Sequence, residues 1–423
     1  MDKISAVVEN TNNNQLRKKS KIEEYKKTKK TQSFLNQYTN ILPPIVAGLI
    51  SVIVNYGGTF ILIFQAAQIA GLNPEQTASW VWSISIGVGI TGIILSWYTK
   101  EPIITAWSTP AAAFLVTAIA TVSYSEAIAG YILSAFAFFI LGLSGYFGKL
   151  IHLIPSGIAS GLLAGILLQF GISAFTNMTI SPILAISLFF IYLITKRFSA
   201  RYAIVTVLIF GFIILTTQSQ INFSNLELKL AYPIFTEPTF SLNSTLSIAL
   251  PLFLITLTGQ YMPGLLILKN DGFKTEAKPI LAVTGFGSIL MAPFGSHAFC
   301  LSSITSAICT GKESHENPKK RYIAGIAAGI FYILVGIFGV TLASLFAAFP
   351  ATFISSLAGL ALLSTIAGSL TNAMSDLNSR EAAVITFLAT AANINLFGIG
   401  GAFWGLVLGL ISYFVFNWRL SNK

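Results

Sequence analysis

Two stretches decide the fold: residues 103–120, IITAWSTPAAAFLVTAIA, and residues 294–310, FGSHAFCLSSITSAICT. Both are apolar enough to enter a membrane, but both are short and rich in small and hydroxyl side chains. The first is broken by WSTP at 107–110, and the second is broken by PFGS at 293–296, at its start. A proline kink alone would explain the first break. A matching break in the second half of the chain instead indicates a repeated discontinuous helix.

The composition of the whole chain places these stretches in a membrane protein. Hydrophobic residues make up 54% of the 423 residues and charged residues 9%, whereas globular proteins carry about 25% charged residues. So few charges cannot cover a water-facing surface. This nearly excludes a soluble enzyme and a nucleic-acid-binding protein, and it predicts an all-α polytopic membrane protein.

Apolar segments follow one another from residue 41 onward. We predict fourteen spans, at 42–67, 76–98, 103–120, 126–147, 154–174, 178–195, 202–217, 245–268, 277–292, 294–310, 321–348, 351–372, 381–396 and 398–416. With a cytoplasmic N terminus, this arrangement puts 24 of the 25 Lys and Arg residues on the cytoplasmic side. Leaving out 103–120 and 294–310 moves seven of them to the other side. The positive-inside rule therefore favours fourteen spans with both termini in the cytoplasm.

Residues 1–40 form a polar, basic segment with nine Lys or Arg and four Asp or Glu. We interpret this segment as a disordered cytoplasmic tail that touches anionic lipid head groups. No apolar stretch precedes residue 41, so no cleavable signal peptide is predicted.

The rest of the chain repeats itself. The segment from Ile154, IPSGIASGLLAGILLQFGIS, aligns with the segment from Phe349, FPATFISSLAGLALLSTIAGS. The predicted repeats are 41–217 and 245–418, joined by an extracytoplasmic linker at 218–244. Because seven spans is an odd number, the second repeat enters from the opposite side, which is the inverted repeat of many secondary transporters. Chance similarity of apolar segments is the alternative.

The two interrupted segments are expected to begin half-helices at one cavity. The repeat alignment pairs Ser108 with Ser296 and Thr109 with His297. Thr109 is predicted to cap the first half-helix, with Pro110 in its first turn, and Ser296 to cap the second. Two helix N-termini offer unpaired N–H groups and a positive dipole, which suit an anion.

His297 is the one ionisable side chain placed deep inside a predicted span. It can donate to a carboxylate, or take up a proton and so couple proton and substrate. A neutral, hydrogen-bonding histidine is the alternative.

Polar and aromatic residues recur on the first and eighth spans. Asn55 with Tyr56 corresponds to Gln260 with Tyr261 in the repeat. An amide beside an aromatic ring suits a flat substrate with polar edges, and Phe299 can supply an aromatic wall. Helix–helix hydrogen bonding and core packing are the alternatives.

Other chemical motifs are missing from the sequence. It has no glycine-rich phosphate loop and no catalytic constellation, and Cys300 and Cys309 lack metal-ligand spacing. We therefore predict no enzyme activity, no cofactor and no metal site.

Four runs of residues together resemble the BenE family of bacterial benzoate–proton symporters. They are Thr105 to Pro110, Met291 to Cys309, Gly311 to Pro318 and Gly398 to Gly405. The resemblance covers about residues 41–416.

This resemblance implies a fold similar to uracil permeases and sulfate-type anion carriers. Spans 1–4 and 8–11 would form a core, and spans 5–7 and 12–14 a gate. Uracil-type relatives contact substrate through a carboxylate on the eighth span, where this chain has Gln260. The difference makes a nucleobase less suitable and leaves room for an anion.

The combined interpretation is a secondary active transporter in the bacterial inner membrane. It takes up benzoate or a related aromatic carboxylate with a proton, by alternating access. A nucleobase or other organic-anion symporter and a passive anion channel are the alternatives. The expected partners are the aromatic carboxylate, the proton and the lipid bilayer, with no nucleic acid; a homo-oligomer is compatible with the sequence.

Overall fold

The structure of the protein is a computed structural model. It describes residues 41–57, 59–149, 155–198, 203–221, 229–303, 305–312, 314–394, 396, 399 and 401–417. The predicted N-terminal tail, residues 1–40, lies outside the described residues.

Helices account for most of the described chain. They are α1 (Ile41–Ile69), α2 (Pro74–Thr99), α3 (Thr109–Ala118), α4 (Tyr124–Ser144), α5 (Ser156–Ile180), α6 (Pro182–Phe198), α7 (Ala203–Thr217), α8 (Leu242–Asn270), α9 (Ala277–Met291), α10 (Ser306–Thr310), α11 (Tyr322–Ile337), α12 (Gly339–Ala347), α13 (Ala351–Ser375), α14 (Arg380–Ala391) and α15 (Gly401–Asn417). Among the described residues, eight helices are long and apolar enough to cross a membrane. Every predicted span contains at least one helix, so the all-α polytopic fold class is confirmed. The number of crossings stays a prediction.

Two short strands, β1 (Thr105–Trp107) and β2 (Phe299–Leu301), precede α3 and α10. They pair antiparallel, with Thr105 opposite Leu301 and Trp107 opposite Phe299. All six strand residues are buried. Extended backbone inside a bilayer finds no water to bond, so it must find protein partners. The two interrupted segments therefore satisfy each other across the two halves of the chain.

The first half-helix, α3, begins as its sequence dictates, but with a different cap from the predicted one. Ser108, not Thr109, is the N-cap, and its Oγ accepts from the Ala111 N–H at 3.3 Å. Thr109 is the first helical residue, and Pro110 lies in the first turn as predicted. Proline suits this place because its missing N–H has no helical partner there. Ser108 Oγ also accepts from Thr256 Oγ1 of α8, at 3.0 Å.

The second half-helix begins later than predicted. The prediction that Ser296 caps it is wrong, because α10 starts at Ser306 and residues 299–301 are extended. A 3₁₀ turn at Ala292–Phe294 ends α9, and Gly295 follows with φ of +106°. A side chain at Gly295 would come within 3.0 Å of the Trp80 backbone. This forced turn releases the chain into β2, which needs β1 as its partner.

Helix α8 contains two π-helical turns, Thr245–Ala249 and Leu257–Tyr261. Each lies just before a proline, Pro251 or Pro263. Since proline cannot donate an N–H to the carbonyl four residues back, the local α pattern is broken. The N–H of Met262 instead donates to Leu257, five residues back. Such π turns are frequent at functional sites.

The two halves are packed as an interlocked inverted repeat. Helix α4 of the first half packs along α9 of the second, and α11 of the second packs along α2 of the first. Tyrosines at corresponding positions of the two halves make corresponding hydrogen bonds. Tyr56 bonds Ser85 of α2 at 2.5 Å, and Tyr261 bonds Thr284 of α9 at 2.6 Å. This correspondence matches the predicted alignment of Tyr56 with Tyr261.

The helices form two groups. Helices α5 and α13 pack along each other, with α14 against α5 and α15 against α14. The remaining long helices surround the strand pair. In the linker, the described residues 229–241 run across this second group. Thr236 N donates to Pro293 at 2.7 Å, and Thr239 N donates to Ser125 at 3.0 Å.

The capping of α3 can be tested with Ser108→Ala. This change removes the acceptor for the Ala111 N–H and the partner of the buried Thr256 hydroxyl. We expect the free energy of unfolding to fall by about 1–3 kcal/mol, seen as a lower midpoint of thermal unfolding in detergent. Thr109→Ala is the matched control and should lower the midpoint less. An equal or larger loss for Thr109→Ala would contradict the cap assignment.

Candidate functional site

The candidate site lies where α8 passes the beginnings of α3 and α10. At its first end, Thr256 bonds Ser108, as described above, and Gly259 faces Pro110. A side-chain carbon at Gly259 would lie 3.2 Å from Pro110 Cγ and 3.6 Å from Leu163 of α5. The close approach of these three residues depends on glycine. It also makes this point a contact between the two helix groups.

At its second end, Gln260 holds the segment that leads into α10. Its Oε1 accepts from Ser303 N–H at 3.0 Å and from Ser303 Oγ at 2.9 Å. Gln260 is buried and lies in the second π turn of α8. At this place a single oxygen atom, that of the Gln260 amide, therefore accepts two hydrogen bonds.

Ser302 follows β2 as Ser108 follows β1, although the residue that precedes α10 is Thr305, which makes no side-chain cap bond. Ser302 Oγ accepts from Thr305 N–H at 3.3 Å, three residues on. Thus Ser302, not Ser296, is the structural counterpart of Ser108. Ser302-Ser303 follows β2 as Ser108-Thr109 follows β1, but the sequence alone does not show where β2 ends.

Helix α10 is fixed from its other end by Arg321, which is buried. The guanidinium donates to the carbonyl of Thr310 at 2.6 Å and to that of His315 at 2.7 Å. A cation at a helix C-terminus is stabilised by the backbone carbonyls there. Arg321 therefore positions α10, a role that the sequence analysis missed.

His297 is fully buried beside Trp80 of α2. The Trp80 indole N–H donates to His297 Nδ1 at 3.3 Å, which leaves Nε2 as the protonated nitrogen of a neutral ring. Nε2 has no hydrogen-bond partner among the described residues. Ser108 N–H donates to Ala298 O at 3.2 Å, so His297 lies next to the start of α3.

Ser296 is turned toward the backbone. Its Oγ donates to the carbonyl of His297 at 3.0 Å, and its side chain has no exposed surface. It therefore shapes the turn before β2 and does not begin a helix.

The predicted aromatic and amide residues mostly make packing contacts. Asn55 donates to the Tyr332 hydroxyl at 2.9 Å. The Tyr56 ring lies 5.0 Å from the Trp107 ring, edge to face. Tyr261 is fully buried, with its ring 5.0 Å from that of Phe138. These contacts hold α1 and α8 against the strand pair and α4.

Phe299 is also fully buried. Its N–H donates to Ser288 Oγ at 3.3 Å, and its ring lies against the backbone of Gly87 and Gly287. Phe299 therefore fills the interior between α2 and α9.

Of the predicted residues, the structure brings Ser108, Thr109, Gln260 and His297 to the region around β1, β2 and α8. Four further residues at the site were not predicted from the sequence: Thr256, Ser303, Trp80 and Thr59. Thr59 accepts from the Trp107 indole at 3.1 Å and from Thr109 Oγ1 at 3.3 Å. The side chains at this site are neutral, and the N-terminus of the ten-residue α3 gives it a positive dipole end.

No group of three or more His, Cys, Asp or Glu that could hold a metal ion occurs in the part of the chain that the structure describes.

The fold is shared with solved anion-transporter structures. The transmembrane domain of the cyanobacterial bicarbonate transporter BicA superposes with a TM-score of 0.56 at 15% identity, covering 88% of this chain and 97% of that one. A structure of SLC26A9 superposes with a TM-score of 0.60 at 12% identity, covering 90% of this chain and 65% of that one. At these identities the likeness shows the fold alone.

Sequence relatives are much closer. The benzoate membrane transport protein of Acinetobacter baylyi (strain ATCC 33305 / BD413 / ADP1) is 44% identical over 374 residues, 88% of this chain and 95% of the relative. The inner membrane protein YdcO of Escherichia coli (strain K12) is 38% identical over 375 residues, 89% of this chain and 96% of the relative.

A family profile agrees with these relatives. The profile of the BenE family, described as "Benzoate membrane transport protein", matches residues 39–415. That match spans nearly the whole described chain and both interrupted segments. This multi-pass membrane protein therefore belongs to the BenE family of membrane transporters.

Proposed function

We propose that this protein is a secondary active transporter of the inner membrane that takes up benzoate or a related aromatic carboxylate together with a proton. The names of the two relatives support the substrate class and the membrane. One structural observation carries the proposal: Ser303 directs its N–H and Oγ at a single buried oxygen of Gln260, which follows Gly259, the residue that packs on Pro110 of α3.

A carboxylate oxygen is an acceptor of the same kind as the Gln260 amide oxygen. We infer that Gln260 satisfies Ser303 in the absence of substrate and gives way when a carboxylate arrives. The carboxylate then accepts from Ser303, while Gln260 Nε2 can donate to it. Ser108, Thr109 and the α3 dipole favour the negative charge from the other side.

The ring of the substrate is proposed to lie against Gly259, Pro110 and Leu163. These residues are apolar and pack closely at Gly259, so the ring is proposed to enter when α5 moves away from α8. Asn55, Tyr56, Tyr261 and Phe299 are paired or packed internally and are proposed to hold the helices around the site.

Alternating access is proposed to move one helix group against the other. The strand pair and its surrounding helices form the core, and α5–α7 with α13–α15 form the gate. Leu163 of α5 belongs to the gate, while Gly259 and Pro110 belong to the core. A substrate at this contact is therefore exposed when the groups separate on one side.

Uptake of labelled benzoate into proteoliposomes tests the function. Under an inward proton gradient we expect accumulation above the outside concentration, abolished by a protonophore. Equilibration without accumulation would support a passive channel instead. Uptake of a nucleobase but not of benzoate would overturn the substrate assignment.

Gln260→Glu tests the carboxylate site. A negative charge beside Ser303 should repel the substrate carboxylate and raise the Kd for benzoate about tenfold or more, measured by calorimetry near neutral pH. Gln68→Glu, on the exposed end of α1, is the matched control and should bind as the unchanged protein does. Equal affinity for the Gln260 variant would remove this residue from the site.

Trp80→Phe tests the predicted role of His297 in proton coupling. A proton on Nδ1 would oppose the Trp80 N–H, so His297 must lose this bond to become charged. Removing the indole donor should shift the pH dependence of uptake upward by about half to one pH unit, since such a bond contributes about 1 kcal/mol. Trp82→Phe is the control, because its ring packs on Phe294. Identical pH profiles for all three proteins would remove His297 from coupling.

A further inference from the structure

A groove lies at the end of α8, separate from the site proposed above. It encloses about 520 Å³. The wall is made by the last turns of α8, the loop at 271–277 and Phe147 after α4. Its lining residues include Met262, Leu265, Leu266, Lys269, Phe273 and Lys274.

The charges on this wall are of one sign. Lys269 and Lys274 line the groove, whereas Asp271 and Glu276 of the same loop do not. Both lysines are exposed. Neither ammonium group is paired with a carboxylate in the described part of the chain. The groove thus offers two unneutralised cations beside an apolar wall.

The loop that forms the groove is held in place by Glu101. The carboxylate accepts from Lys274 N–H at 3.2 Å and from the Thr275 hydroxyl. Partial burial raises the pKa of Glu101 above its usual range, against the lowering effect of the Lys274 N–H bond. Glu101 is therefore engaged with the loop backbone and Thr275, and the loop is positioned before any ligand arrives.

The surroundings point to a membrane amphiphile. Leu266 is 56% exposed, on a helix long and apolar enough to cross the bilayer. Its exposed face therefore meets lipid chains, while Lys269, three residues on, reaches the level of the head groups. Exposed Lys149 lies two residues after the lining residue Phe147, with its ammonium 4.8 Å from the Tyr146 ring.

We propose that this groove is a binding site for an anionic phospholipid. The phosphate lies between Lys269 and Lys274, and an acyl chain follows Leu265 and Leu266. The bound phospholipid holds the end of α8, which is the helix that carries Gln260. The site therefore makes the stability of the transporter depend on anionic lipid.

Purified full-length protein in mixed micelles tests this proposal. The probes are phosphatidylglycerol, phosphatidylcholine of the same chain length, and inorganic phosphate. We expect phosphatidylglycerol to raise the midpoint of thermal unfolding and to remain bound in native mass spectra. Each lysine is expected to contribute about fivefold to apparent affinity, so Lys269→Gln with Lys274→Gln should weaken it about twenty-fivefold.

The matched control is Lys312→Gln with Lys319→Gln, which removes the same charge from exposed positions outside the groove. It should keep the affinity for phosphatidylglycerol. The proposal is overturned if both double variants lose the same affinity, or if phosphatidylcholine stabilises the protein as well as phosphatidylglycerol. A full effect of inorganic phosphate alone would also overturn it, because the apolar wall would then contribute nothing.

Discussion

The backbone pairing of β1 with β2 is the constraint on which the rest of the structure depends. Inside a bilayer, an unpaired N–H or C=O costs several kcal/mol, because no water can replace the missing partner. Each interrupted segment leaves such groups exposed, and the other segment satisfies them. Ser108 N–H to Ala298 and Ser302 N–H to Ile104 extend the pairing beyond the strands. The starts of α3 and α10 are fixed as a result.

The repeated architecture follows from the same constraint. Neither half can place its broken segment in the membrane alone, so the halves interlock through α4 with α9 and α11 with α2. The internal bonds of Tyr56 and Tyr261 repeat this relationship. Because this region has few charges, we propose that the substrate carboxylate is recognised by neutral hydrogen-bond donors and by the N-terminus of α3. Gln260 and Ser303 already display that arrangement, which is why we place the carboxylate there.

The sequence alone predicted the fold class, the places of both breaks and the first turn of α3. Those predictions depended on the placement of Lys and Arg residues on one side of the membrane and on the WSTP motif. The counterpart of Ser108 was predicted at Ser296, six residues before its place in the structure at Ser302. Apolar segments can be aligned in several ways, and the pairing of strands leaves no local signal in the sequence. The π turns of α8 were not predicted from the sequence, although Pro251 and Pro263 explain them. Trp80 approaches His297 through tertiary packing, which no spacing reveals.

The most direct measurement is a cryo-EM structure with bound 4-iodobenzoate, whose iodine marks the ring. We predict that the carboxylate lies within hydrogen-bonding distance of Ser303 N–H, with the Gln260 oxygen displaced from it. We also predict the iodine on the Leu163 side of α8. Ligand density away from both Ser303 and Ser108, with the Gln260–Ser303 bonds unchanged, would contradict this binding mode.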